Sequence, residues 1–150
     1  MGTIMKIALA ADHAGFTLKE DLKKFLEAEG HTVFDYGAEN YSELDDYPDF
    51  IVPAVRAVAN DEVDRAIVMG ASGQGEAIAA NRIHGVRAAV FYGGDEDIVR
   101  LSREHNDANT LSLGARFIDF EEAKDIVTLW LATEFSGDER HIRRIKKLDI

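Results

Sequence analysis

Apolar and polar positions follow two different rhythms along this chain. Lys6-Ile7-Ala8-Leu9-Ala10-Ala11 is an almost unbroken apolar run, the pattern of a strand buried on both faces. Leu18, Leu22, Phe25 and Leu26 then fall at i, i+4, i+7 and i+8, with lysines and acids between them and Gly30 where a helix C′ residue belongs. An amphipathic helix is predicted there. Thr32 to Tyr36 reads as a second strand. A polar loop runs on through Asp46, and Tyr47-Pro48 opens a helix carried by Ile51, Val55 and Val58, since proline suits a first helical turn. Arg65 to Met69 predicts the third strand and Ala77 to Ile83 a short third helix. Arg87 to Phe91 and Asn109 to Leu113 predict strands four and five, separated by a helix near Asp95 to His105. Ile126, Val127, Trp130 and Leu131 mark the helix after strand five, and Asp138 to Lys147 a last helical piece.

Strands alternating with helices, through connections too long for hairpins, predict a parallel sheet covered on both faces. The expected fold is a single α/β domain, a three-layer α/β/α sandwich around a five-stranded, doubly wound (Rossmann-like) sheet. At 150 residues a chain buries roughly 68 to 70% of the surface its unfolded form exposes, enough for one core. That domain is expected over 5–150. Residues 1–4 precede a second methionine, Met5, and read as a start extension or an expression remnant.

Composition narrows the function by exclusion. The formal charge of −11, from 17 basic against 28 acidic residues, opposes nucleic acid and anionic lipid, so an anionic ligand needs a local cationic pocket. The chain has no cysteine, which excludes disulfides, thiolate catalysis and cysteine metal sites. No apolar run approaches the roughly 20 residues that cross a bilayer, and the N-terminus lacks signal-peptide character. A cytoplasmic protein without membrane partners is expected.

Ligands of open α/β sheets bind outside the carboxyl ends of the strands. That rule selects Asp12-His13-Ala14-Gly15, the glycine loop Gly70-Ala71-Ser72-Gly73-Gln74-Gly75-Glu76, Tyr92-Gly93-Gly94-Asp95 and Gly114-Ala115-Arg116. The glycine loop fits neither the dinucleotide nor the P-loop pattern, although Gly70 and Gly75 have the P-loop separation. Glu76 stands where the P-loop lysine would be, and its charge would repel nucleotide phosphates. What remains is a nest of backbone N–H groups at a helix start, suited to a developing oxyanion, beside a carboxylate that can act as a base.

Each residue also has a plainer role open to it. Glu76 is a favourable acid in a first helical turn, Asp12 a helix cap, and His105 with Asn106 a complement to a helix end. The basic run Arg140 to Lys147 is either a solvated face or, through Arg140 and Arg144 at i, i+4, a phosphate clamp. Taken together, a carboxylate, an N–H nest, a histidine, an aspartate and arginines suit proton abstraction beside a carbonyl of a phosphorylated sugar. No cofactor and no metal is implied.

The segments "AADHAGFTLKEDL", "DYPDF", "GASGQGEAIAANRIHGVRAA", "SREHNDANTLSLGAR" and "RHIRRI" resemble, in order and spacing, the type B ribose-5-phosphate isomerases, grouped with the galactose-6-phosphate isomerase subunits. Many members of that family carry a cysteine at the position of Gly70. This chain looks instead like the branch with a glycine there and a glutamate base opening the next helix. The resemblance implies that Glu76 moves the proton between C2 and C1 while Ser72 and the Gly73 to Gly75 amides hold the enediolate oxygen. It further implies that His105 opens the sugar ring with help from Asp12, and that His13, Arg116, Arg140 and Arg144 bind the phosphate. Asn81 and Asn106 would orient substrate or loop, and Tyr47 would line the pocket. Ribose 5-phosphate is the implied substrate, with allose, galactose or tetrulose phosphate as alternatives, and a homodimer with shared sites the implied assembly. A nucleotide-sensing module of similar topology is the non-enzymatic alternative.

Overall fold

The computed structural model describes residues 2–149; Met1 of the predicted extension and Ile150 at the end of the predicted domain lie outside the described residues. The elements run β1 (Lys6–Ala11), a 3-10 turn (His13–Gly15), α1 (Phe16–Ala28), β2 (Thr32–Asp35), α2 (Pro48–Ala59), β3 (Arg65–Gly70), α3 (Gln74–Asn81), β4 (Ala88–Phe91), α4 (Asp97–Asn106), β5 (Thr110–Gly114), α5 (Phe120–Ala132) and α6 (Glu139–Ile145). The strands form one parallel sheet in the order β2-β1-β3-β5-β4, the doubly wound architecture that the alternation of patterns predicts.

Strand side chains point to opposite faces in turn, and the two faces differ in bulk. Ile7, Leu9, Ile67, Met69, Leu111 and Leu113 meet α1, α4 and α5, where Trp130 is fully buried. Ala8, Ala10, Ala66 and Val68 meet α2 and α3. Large side chains fill one layer, and small ones bring the other pair of helices close to the sheet.

Many element ends shift by one or two residues from the sequence expectation, and the start of α3 shifts furthest. α3 opens at Gln74 rather than Ala77, because Gly73 takes a left-handed φ of 79° and turns the chain straight into the helix. Such a backbone conformation is open to glycine at little strain, and the glycines on either side of Gln74 disguise the start. β2 stops at Asp35, one residue short of Tyr36, although the Tyr36 N–H still bonds the Leu9 carbonyl at 2.8 Å.

The Asp35 carboxylate forms an ion pair that ties β2 to α1. Lys19 is fully buried, and its Nζ donates to Asp35 Oδ2 at 2.8 Å and to Glu20 Oε1 at 2.7 Å. Asp35 Oδ1 also accepts the Gly37 N–H at 2.9 Å, fixing the start of the loop that leads to α2. Burial pushes the Asp35 carboxyl upward, but Lys19 and the Gly37 N–H reverse this and hold its pKa below the ordinary value. The pair therefore stabilises the fold above the unfolded carboxylate's pKa, and that contribution disappears as the pH falls through the lowered one. Asp35→Asn leaves a buried ammonium without its main partner and is expected to destabilise the protein by about 3–5 kcal/mol at neutral pH. Urea denaturation at about pH 7 and again in acid checks this, with the gap between variant and wild type closing in acid.

Candidate active site

β3 ends at Gly70, and from there the chain crosses the carboxyl edge of the sheet and enters α3. Ser112 on β5, fully buried, donates its hydroxyl to the Gly73 carbonyl at 2.6 Å and pins the loop from below. The Arg116 N–H bonds the Ala71 carbonyl at 3.1 Å, and the Ala115 N–H bonds the Gly70 carbonyl at 2.8 Å. Ser72 Oγ accepts the Gln74 N–H at 3.3 Å, which leaves the hydroxyl hydrogen free to donate. The loop is thus held on both sides, with first-turn N–H groups of α3 lacking intrahelical partners, as at any helix start.

Glu76, in the first turn of α3, is 4% exposed. Its carboxylate lies directly over the Cα of Gly70: a methyl group built at that position would overlap both carboxylate oxygens. Burial pushes the Glu76 carboxyl above its ordinary pKa and the neighbouring Asp12 carboxylate adds to the rise, while the backbone N–H groups of Glu76 and Gly73 work against it. A buried carboxylate poised toward neutrality, yet partly held by backbone dipoles, has the acid–base character of a proton carrier.

Other predicted residues gather around it. Asp12 follows β1 and caps the 3-10 turn, its Oδ1 accepting from the Ala14 N–H at 3.0 Å and the Gly15 N–H at 3.4 Å. The plainer role of Asp12 therefore holds, alongside its effect on Glu76. His13 follows, with Nδ1 2.8 Å from Asp45 Oδ1. Tyr47 sets its ring against Gly75, where an added methyl would meet it at 2.7 Å. Arg116 is exposed after β5 and close enough to His13 to act on its titration. Asp12, His13 and Asp45 bring donor atoms within 4.8 Å of one another. Asp45 Oδ1 is already engaged by the imidazole, so the trio consists of a hydrogen-bonded His–Asp pair beside a capping aspartate.

The remaining predicted residues lie at the other end of the sheet. α4 returns from the carboxyl end of β4 to the amino end of β5, about 15 Å away for ten residues at 1.5 Å each. There the Arg87 guanidinium, just before β4, donates to the Asn106 carbonyl at 3.0 Å. His105 stacks on His141 of α6, with ring centroids 4.4 Å apart and planes at 18°. Arg140 and Arg144 are exposed on the same short helix. Asn81 is at this end too: its amide donates to the Ala88 carbonyl at 3.1 Å and accepts the Ala88 N–H at 2.8 Å. Both its hydrogen-bonding atoms tie α3 to β4, so within this chain it orients structure rather than a ligand.

Sequence reasoning left out three residues that shape these two regions. Ser112 sits inside an apolar strand pattern, Asp45 in a loop read only as polar, and His141 in a run read for its arginines. His141 is 4% exposed with its Nε2 unpartnered among the described residues, and burial followed by the nearby His105 lowers its pKa. No local spacing signals any of them, because each matters through a partner distant in sequence.

Fold and site together define the class as an α/β enzyme, with a carboxylate where a nucleotide-binding loop would need a cation. The Ribose/Galactose Isomerase family model matches residues 7–148, and the chain belongs to that family. Ribose-5-phosphate isomerase B of Mycolicibacterium paratuberculosis is 40% identical over 141 residues, which cover 94% of this chain and 87% of that protein. The crystal structure of a ribose 5-phosphate isomerase from Thermotoga maritima superposes with a TM-score of 0.90 at 44% identity, covering 97% of each chain. Ribose-5-phosphate isomerase B from Mycoplasma genitalium, solved with bound ribulose-5-phosphate, superposes with a TM-score of 0.89 at 37% identity, covering 95% of this chain and 93% of that one. Among the described residues, no helix is long and apolar enough to cross a membrane.

The overlap at position 70 yields a test that needs no substrate. Gly70→Ala is expected to lose about 1–3 kcal/mol through overpacking. Adding Glu76→Ala should recover much of that loss, because the carboxylate is what the methyl meets. Simple additivity of the two losses in urea denaturation would show that something else restricts position 70.

Proposed function

We propose that the protein interconverts ribose 5-phosphate and ribulose 5-phosphate, with Glu76 as the base. The observation that carries this is the buried Glu76 carboxylate over the bare Cα of Gly70, beside the N–H groups of the glycine loop. The family and the ribulose-5-phosphate bound by the Mycoplasma genitalium relative support the choice of substrate.

In the proposed sequence His105 gives a proton to the ring oxygen as the C1–O4 bond breaks, and the anomeric hydroxyl passes its proton to Asp12, beside the sugar hydroxyls, which leaves the open-chain aldehyde. Glu76 then takes the C2 proton. The electron pair moves through C1–C2 onto the aldehyde oxygen, and the enediolate is held by the Ser72 hydroxyl and the Gly73 to Gly75 amides. Glu76 returns the proton to C1 while the C2 hydroxyl proton passes to the C1 oxygen, which becomes the C1 hydroxyl as the C2 oxygen becomes the ketone. His13, Arg116, Arg140 and Arg144 bind the phosphate, Asn106 orients the substrate, and Tyr47 lines the pocket.

Such a sequence needs groups from both ends of the sheet. His105, Asn106, Arg140 and Arg144 come from a second copy in this proposal, so that a homodimer assembles each site from the carboxyl edge of one chain and the α4–α6 end of the other. No metal or cofactor has a step.

A panel of four-, five- and six-carbon aldose and ketose phosphates tests the substrate, since the same loop would serve allose, galactose or tetrulose phosphates. Glu76→Gln is expected to lower kcat by about 10² to 10⁴ with substrate binding largely retained; near-normal turnover would remove Glu76 as the base. In the wild type, kcat should fall on the acid side with an apparent pKa above the ordinary carboxylate value, because the ionised base is lost as pH drops through the raised pKa. Arg140→Ala should raise KM with little change in kcat, and an unchanged KM would return the basic helix to the solvent.

A further inference from the structure

Asp45 lies in the loop between β2 and α2, and no step above uses it. Its Oδ1 nevertheless accepts twice from one residue, from His13 Nδ1 at 2.8 Å and from the His13 backbone N–H at 3.2 Å. The Asp45 side chain is 10% exposed, and its Oδ2 is buried with no hydrogen-bond partner among the described residues. Tyr41, from the same loop, presents its ring edge-on to the His13 ring, with centroids 6.1 Å apart. A desolvated carboxylate with one oxygen unsatisfied is unfavourable in isolation. Here its bonded oxygen is held by one residue, through the imidazole and the backbone N–H of His13.

We propose that Asp45 is a positioning residue for the phosphate subsite: it fixes His13 with Nδ1–H bonded to the carboxylate, so that a protonated Nε2 is presented to a phosphate oxygen. This rests on the assignment of His13 as a phosphate ligand. Asp45 acts through the imidazole and touches no substrate. The charged groups facing His13 are Asp45 and Asp12, which favour the imidazolium, and Arg116, which opposes it. The bond to Asp45 outweighs desolvation, and the His13 pKa is raised. A raised pKa keeps Nε2 a donor to higher pH. Removing the charge of Asp45 should therefore weaken phosphate binding only above the pH at which the imidazole loses its proton.

Asp45→Asn preserves an acceptor for Nδ1–H and removes the charge; Asp45→Ala removes both. NMR titration of the His13 imidazole in Asp45→Asn should show its pKa lowered by about one unit. Inorganic phosphate affinity and KM for ribose 5-phosphate should match wild type near about pH 5.5 and weaken to about tenfold by about pH 8, with kcat nearly unchanged. An unchanged His13 titration overturns the proposal. So does a binding loss of equal size at every pH, which is what a merely structural loop contact would give. If Asp45→Ala does not fold, Asp45→Asn carries the test alone. The NMR and inorganic phosphate measurements need no turnover. A protein that isomerises no pentose phosphate, yet shows the pH-dependent phosphate loss, would sink the isomerase assignment and leave this one standing.

Discussion

Everything at the site follows from the direction in which a parallel sheet must be wound. Each strand ends on the same edge, so each connection has to travel back over a face before the next strand can begin. The turn after β1, the glycine loop after β3 and the turn after β5 are gathered on that edge by this requirement alone. The same return journey carries the far end of α4, with His105 and Asn106, away from it. The topology that assembles one half of the proposed site removes the other half from reach within a single chain, which is why the proposed function is tied to a second copy.

Within the gathered edge the decisive balance is between burial and dipoles at Glu76. Burial disfavours its charge, Asp12 disfavours it further, and two backbone N–H groups favour it. A carboxylate left in water would be a weaker base, and one buried without N–H partners would stay protonated. The loop's glycines matter here mainly by what they leave out: space over Gly70 for the carboxylate and a backbone at Gly73 that turns at once into α3. Ser112 and the N–H groups of Ala115 and Arg116 hold this arrangement from β5 and the turn that follows it. The setting of Glu76 is thus a joint product of two neighbouring strand ends.

Much of this was legible in the sequence, and the parts that were not share a cause. Period and apolar runs located every strand and helix, since Ile7 to Ala11 or Leu18 to Leu26 carry their partners' requirements in their own pattern. The start of α3 was misplaced because Gly73 and Gly75 look like a loop until the left-handed φ at Gly73 shows how the helix begins. Asp12 and Glu76 were visible as candidates, but their proximity was not, because it joins β1 to α3 across the sheet. Asn81, expected to orient substrate or loop, bonds Ala88 through both amide atoms, a partner its own sequence pattern does not indicate. Asp45, Ser112 and His141 act through partners more than thirty residues away in the chain, which no local pattern encodes.

The shared space between positions 70 and 76 also constrains how such a site can change over time. A side chain growing from 70 and a carboxylate reaching in from 76 exclude each other, so neither position can drift independently. A lineage that moves its base from one to the other crosses either an overfilled intermediate or an empty one. Only the empty one, with glycine at 70 and a small neutral residue at 76, avoids the clash, and it does so by giving up the proposed base. The two residues are therefore expected to change as a linked pair, with whole branches committed to one arrangement and few sequences between.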